Sequence, residues 1–391
     1  MINKIIIKNF RSIEDLQMEI KPITFLYGKN ASGKSSILYA PFILRNIVLN
    51  PSQSTDGFSN LLFSNLGGFE QIVFNHKPNL TIEIGVIGKI NTEELFYGVR
   101  FGKTEGDFRL KLEGKFDETL HVGFPYPANS EKKFQIKIDD KQAEYLWNGI
   151  TVKLSPQSQI AEENLPEKTN SIVELVKGID MIPLKRGFSK PVFSPVPMTP
   201  NILSEDELAT LLTTEYGYLK NKVSTYLKRI FNKDFVLTSQ PGSSIFYLQT
   251  VSEFGLTSEI VNDGFGINQT VYLLSKILRP GASLLLIEEP EIHIHPTAQN
   301  KLVEIFGEII KRENKTLVIS THSEHMISSL LSLVAEGKIS HDEVACYFCK
   351  IEKGKTIVEE QKVTPKGQIE GGLSSFMETE VEVLRKIMKA K

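Results

Sequence analysis

Three stretches carry residue types that could act on a phosphate ester. The first is GKNASGKS, Gly28 to Ser35, which matches G-x-x-x-x-G-K-[ST] without a mismatch. In such a loop the glycines let the backbone N–H groups of Gly28, Asn30, Ala31, Ser32 and Gly33 turn inward and cradle phosphates. Lys34 would reach the β- and γ-phosphates, Ser35 would ligate magnesium, and Ser36 would follow them at the start of a helix whose dipole favours an anion. The second stretch is SLLLIEEP, where an apolar run ends in Glu288 and Glu289. Carboxylates at the C-terminal edge of a buried strand sit where ligands of open α/β sheets bind. Glu288 is the candidate magnesium-side acid, acting through water. Glu289 is the candidate general base for an attacking water. The third is LVISTHS, an apolar strand ending at His322, whose imidazole could hydrogen-bond a γ-phosphate. Each has a plainer reading: a surface turn, an acid-capped strand, a structural histidine. Their occurrence together, in strand–loop–helix and strand-end contexts, favours a nucleotide site with ATP and Mg2+.

The flanking sequence predicts the elements that position these groups. KIIIKNF and ITFLYG read as strands, and KSSILYAPFILRNIV as an apolar helix in which Pro41 could cause a kink or an early stop. From about 80 to 155 alternating segments such as LTIEIGVIG and FRLKLEG predict β-hairpins. LSPQSQIAEENLPEKTN is polar and reads as a loop. KPVFSPVPMTPN holds four prolines and marks a boundary. Beyond it Ser204 and Glu207 fit a capping box, and Leu208, Leu211, Leu212, Leu219, Val223 and Leu227 recur at helical spacing through SEDELATLLTTEYGYLKNKVSTYLKRIF. After 240, β-like segments lead to a glycine-bearing turn. Helices NQTVYLLSKIL, TAQNKLVEIFGEIIKRE and SEHMISSLLSLVAEG then alternate with strands SLLLIEEP and KTLVIST, the pattern of parallel α/β architecture.

Composition sets bounds. The chain has 391 residues, is 41% hydrophobic and carries a net charge of −2, from 45 basic and 47 acidic residues. That balance gives no support for a polyanion-binding protein. No stretch approaches the roughly 18 apolar residues of a membrane span, and MINKIIIKNFRSI does not read as a signal peptide. The expectation is a cytoplasmic protein with no membrane partner. The two cysteines, Cys346 and Cys349, have CxxC spacing, but no second pair completes a zinc site. EVACYFCKI reads as an ordinary strand.

The order of phosphate loop, long insertion, glycine–glutamine turn, EEP strand and THS strand resembles the ATP-binding-cassette type ATPases, and within them the SMC/RecF/OLD-like branch of AAA family ATPases. The opening IIIKNFRSI is similar to that branch's start, which implies that Arg11 lies near the nucleotide. NDGFGINQT stands where cassette proteins carry the signature LSGGQ, and Gln269 lies 19 residues before Glu288. Gly266 replaces the signature serine. The resemblance implies that Gly264, Gly266, Asn268 and Gln269 present amides to a nucleotide bound by a partner subunit. It also implies a magnesium-contacting glutamine, for which Gln71 is the candidate. His295 takes the place of a usual aspartate; His293 and His295 lack an evident third ligand for a metal. MIPLKRGFSKP looks like a proline–arginine turn of some members, and Lys185 and Arg186 read as surface loop. With 69 residues after His322, a toprim nuclease is not expected. The insertion lacks the long heptads of a coiled coil.

The resemblance implies an α/β fold: a P-loop NTPase, an ABC-type ATPase head with mixed β-sheet and an inserted β-rich and helical region. The expected division is 1–155 with the phosphate loop, 156–240 as an inserted arm, 241–340 with the turn, acids and histidine, and 341–391 as a small tail. The expected function is Mg-dependent ATP hydrolysis by a head-to-tail homodimer with ATP at the interface. It would drive or license a partner, such as a separate nuclease in antiviral defence. Two alternatives stay open: an ATP-sensing scaffold with slow or no turnover, and a DNA-binding repair ATPase, which charge does not support.

Overall fold

The computed structural model describes all residues except 91–92, 113–115, 127–130, 139–140, 159, 162–163, 200–203, 215–217 and 373–391. The tail segment FMETEVEVLRKI lies outside the described residues. The chain divides into two compact units, each assembled from separate stretches: Met1–Lys21, Tyr27–Met181 and Tyr347–Glu360 form one, and Pro22–Leu26, Ile182–Cys346 and Gln361–Lys391 the other.

The first unit is dominated by an antiparallel sheet. Its strands lie in the order Ile13–Glu19, Ile2–Phe10, Ile82–Ile90, Glu93–Phe101, Gly106–Leu112 and Phe116–Phe124. The register explains the alternation in the sequence. Ile7, Ile84, Val99, Phe108 and Val122 stand opposite one another across five strands, and Ile5, Val86, Tyr97, Leu110 and Leu120 form a second row. All ten are buried. One-residue slippage would move both rows to the opposite face, so burial fixes the pairing. Lys132–Ile138, Lys141–Trp147 and Val152–Leu154 make a smaller antiparallel sheet. The helix Lys34–Leu49 runs on through Pro41. It packs against a second helix, Leu165–Lys177, whose N-terminal part falls in the segment expected to be loop. Pro166 in the first turn and buried Leu165, Thr169, Ile172, Val173 and Val176 account for that helix. Its polar outer face masked the apolar stripe in the sequence.

In the second unit Leu284–Glu288 and Thr316–Thr321 pair in parallel, from Leu284 opposite Thr316 to Glu288 opposite Ser320. Residues 23–26 of the strand Ile23–Tyr27 lie on the other side of Thr316–Thr321, where Leu317 N donates to Pro22 O at 2.8 Å. These strands are buried throughout, as a parallel sheet covered on both faces requires. Helices Phe265–Leu278, Pro296–Glu313 and Glu324–Ala335 connect or follow them. The capping box at Ser204 is present: Ser204 Oγ accepts from Glu207 N at 3.1 Å, and Ser204 N donates to Glu207 Oε2 at 3.0 Å. The single long helix expected beyond it is instead two, Glu205–Thr213 and Tyr218–Phe231, because Thr214 turns extended at φ −90° and ψ 177°.

Candidate functional site

In the first unit the phosphate loop is shaped by what packs behind it. Gly28 has φ 142° and Gly33 φ 96°, and Ala31 between them is also left-handed at 59°. A Cβ on Gly28 would stand 2.1 Å from the carbonyl oxygen of Cys349, and one on Gly33 2.1 Å from Thr356 Oγ1. Both neighbours belong to a hairpin of strands Val344–Glu352 and Lys355–Gln361. Thr356 is tied in turn to the turn after the first strand: its N–H donates to Ser12 O at 2.8 Å, and its hydroxyl lies 2.7 Å from Ser12 Oγ. Only glycine permits this approach at both corners. The helix then starts at Lys34 with no side-chain cap and no acid in its first turn, leaving its N-terminal amides for another acceptor. Lys34 is buried, and its ammonium donates to Gly28 O and Lys29 O, both at 2.9 Å, and to Ser32 Oγ at 3.3 Å. Asn30 and Ala31 are exposed, Ser32 and Ser36 buried and Ser35 intermediate.

Arg11 is exposed on a left-handed turn at φ 53°, with its guanidinium 5.9 Å from the ring centroid of Tyr39 on the phosphate-loop helix. Its N–H donates to Ile72 O at 2.6 Å, which joins this turn to the short helix Phe69–Ile72 holding exposed Gln71.

In the second unit the two parallel strand ends bring Glu289 and His322 together, with Glu289 Oε1 3.4 Å from His322 Nε2. Glu288 is buried at 5% exposure, and its Oε2 accepts the Leu184 N–H at 3.1 Å. Glu289 adopts φ 41°, which costs a non-glycine residue about 1–3 kcal/mol. Arg186 holds the same turn. Its guanidinium donates to Glu288 O at 2.6 Å and Glu289 O at 2.8 Å, and to Pro183 O at 3.1 Å. Hydrogen bonds from a charged donor contribute about 1.5–3 kcal/mol each, enough to offset the strain. Burial pushes the Arg186 guanidinium down to about 10 against the opposing pull of Glu291, Glu288 and Glu289, so it stays charged at neutral pH. The surface-loop expectation for Arg186 is therefore corrected: it is turned inward onto the acidic strand end. Lys185 is exposed as expected.

Glu291, which the sequence reading passed over, fixes the histidine strand. Its Oε1 accepts from Thr321 Oγ1 at 2.8 Å and from His322 N at 2.6 Å. Burial raises its carboxyl above the usual range, opposed by those hydrogen bonds. The signal available was a third acid two residues beyond the pair. Ser323 caps the following helix and contacts Gln299 Oε1 at 2.5 Å.

The glycine–glutamine turn begins the helix Phe265–Leu278, with Gly264 exposed at φ 86°. Gly266 lies inside the helix, where a Cβ would meet His293 O at 2.4 Å. Asn268 departs from the expectation that it offers its amide outward. It is buried, with Oδ1 accepting Phe188 N at 2.7 Å and Nδ2 donating to Phe188 O at 2.8 Å. Gln269 has its Oε1 buried without a protein partner. His295 caps the helix Pro296–Glu313 by accepting from Thr297 N, and the exposed His293 ring lies tilted at 38° to that of Phe265, with centroids 5.7 Å apart. Cys346 and Cys349 are both buried in a strand, and burial pushes the Cys349 thiol up to about 12.

Residues 1–327 match the family model for an AAA ATPase domain. The chain belongs to this family. As an AAA ATPase domain, it is also similar to an OLD nuclease of Thermus scotoductus, 24% identical over 350 residues, which cover 83% of this chain and 59% of that protein. The chain thus spans about three fifths of the curated relative it matches. Its fold is shared with SMC heads. One solved SMC head, bound to the C-terminal winged-helix domain of ScpA, aligns with a TM-score of 0.55 at 12% identity, over 93% of this chain and 98% of the other. Another, from Pyrococcus furiosus, carries an extended coiled coil and is bound to the C-terminal domain of ScpA. It aligns with a TM-score of 0.52 at 10% identity, over 99% of both chains. The resemblance to the SMC/RecF/OLD-like ABC-type branch and the expected mixed α/β P-loop architecture are thereby borne out.

The donor chemistry of this AAA ATPase domain fits its implied ligands. Backbone amides, an uncapped helix start and a lysine suit a triphosphate. The Ser35 hydroxyl and Glu288 carboxylate are hard oxygen donors, which suit Mg2+. Among the described residues no helix is long and apolar enough to cross a membrane.

Proposed function

We propose that the chain binds ATP with Mg2+ and hydrolyses it to ADP and phosphate. The observation that carries this reading is the Glu289–His322 pair at the ends of two parallel strands, in a chain whose phosphate loop has its glycine corners backed by a hairpin. Gly28 to Ser36 bind the phosphates, and Lys34 moves from the loop carbonyls to phosphate oxygens. Ser35 and Glu288 are the residues that would hold Mg2+, with Gln71 as a further candidate. A magnesium ion held there would supply positive charge to offset that of the triphosphate. Glu289 accepts the proton of the attacking water at its carboxylate. His322 Nε2 hydrogen-bonds the γ-phosphate, held in place by Glu291 through its backbone N–H. Arg11 lies beside the nucleotide.

The dimer belongs to the same proposal. Gly264, Gly266 and Gln269 of one subunit would contact the nucleotide of the other, head to tail. Support comes from the exposure of Gly264 and of Phe265, which is 75% exposed at the start of that helix. A cytoplasmic location, the division at 155, 240 and 340, and a separate nuclease partner in antiviral defence complete the reading. For the nuclease, the support is the name of the Thermus relative.

The test is phosphate release by wild type and by Glu289→Gln, with nucleotide binding followed by calorimetry. General-base loss should lower kcat by about 10²–10⁴-fold while ATP binding persists, and light scattering should find Glu289→Gln as an ATP-dependent dimer. Wild type that binds ATP without releasing phosphate would turn the reading to the scaffold.

A further inference from the structure

The segment Leu184–Phe188 touches two of the features described above within the second unit. At one end Leu184 N–H donates to the Glu288 carboxylate and Arg186 spans the carbonyls of Glu288 and Glu289. At the other, Phe188 N–H and C=O are both taken by the Asn268 side chain. Gly187, at φ 126°, allows the close approach, since a Cβ there would stand 3.2 Å from Asn268 Oδ1.

The geometry at Glu289 gives this segment a specific task. Along an extended strand, successive carbonyls point to opposite sides, so one side chain cannot receive two in a row. The φ of 41° at Glu289 rotates the peptide plane before it and brings both oxygens within reach of one planar guanidinium. The fork of two N–H groups on Arg186 matches that pair as an ammonium could not. The same rotation sets the direction in which the Glu289 side chain leaves the backbone, and hence its meeting with His322.

We propose that Arg186 is a positioning residue for hydrolysis: it holds the left-handed turn at the acidic strand end and so sets the aim of the Glu289 carboxylate. The inference rests on the ATPase reading above and deepens it. Arg186 acts on turnover through Glu289 and has no share in nucleotide affinity.

Steady-state phosphate release and calorimetric ATP binding on Arg186→Ala, Arg186→Lys and the double variant Arg186→Ala/Glu289→Gln test it. Arg186→Ala should lower kcat about 30-fold or more with KM and ATP affinity within about 3-fold, the signature of an interaction expressed only in turnover. Arg186→Lys should recover only part of the loss. The double variant should fall no further than Glu289→Gln alone, because residues acting as a unit are not additive. Should Arg186→Ala fail to fold by circular dichroism, Arg186→Lys carries the same comparison. Wild-type kcat in the folded variants, or losses that add in the double variant, overturn the inference while leaving the ATPase reading intact. Wild type without phosphate release would overturn both.

Discussion

The phosphate loop and the acidic strand end solve the same problem, presenting groups in a strained backbone, by opposite means. The loop is built from the absence of side chains. Its two glycine corners are pressed against a backbone carbonyl of Cys349 and the hydroxyl of Thr356. The strand end is built from their presence. Glu289 is left-handed with a full side chain, and Arg186 and Glu291 hold it and its histidine neighbour from the outside. A backbone-made site tolerates almost no added atom, whereas a side-chain-made site degrades in steps as its supports are trimmed.

Substitutions can sharpen or break this contrast. The largest effect is expected at Gly28→Ala. Its Cβ would collide with backbone, which cannot move as a flexible side-chain tip does, in a conformation that disfavours any side chain. Strain and overpacking together should cost about 2–4 kcal/mol, read as lost ATP affinity in calorimetry and a lower Tm. Retained affinity would show that the hairpin yields and that the loop is not rigidly backed. Next, Glu291→Ala should reduce kcat about tenfold or more through the loss of hydrogen bonds to a carboxylate, with ATP affinity unchanged. A fall in affinity of similar size would erase the distinction between the two regions. Thr356→Val, which removes the hydroxyl contact with Ser12 Oγ and keeps the backbone hydrogen bond to Ser12 O, should cost about 1 kcal/mol by denaturant titration. Ser204→Ala should cost about 1 kcal/mol and leave phosphate release at the wild-type rate, because the hydrogen bonds of its capping box run between Ser204 and Glu207. Smallest of all, a thiol reagent at pH 8 should leave the folded protein unlabelled. Cys349, pushed up to about 12 by burial behind the loop, exposes no thiolate, and both thiols should react only after denaturation.

Legibility in the sequence follows the range of the interactions. The glycine-lysine-serine loop, the two apolar strands ending in acid and histidine, the capping box at Ser204 and the alternating strands of 80–155 all declare themselves within a few residues. The helix at Leu165–Lys177 was hidden by its polar outer face, and the break at Thr214 by unbroken helical spacing of leucines on both sides.

What the chain determined by itself was the inventory: which residues could bind phosphate, which could move a proton, and which kind of element carries each. Hydrogen bonds and apolar periods repeat within one turn or two pleats, so their signals survive in linear order. The tertiary structure alone decided the supports: Thr356 behind Gly33, Asn268 spent on Phe188, and Arg186 on carbonyls 102 and 103 positions away. Such contacts depend on where packing brings distant backbone, and no spacing in the sequence encodes that.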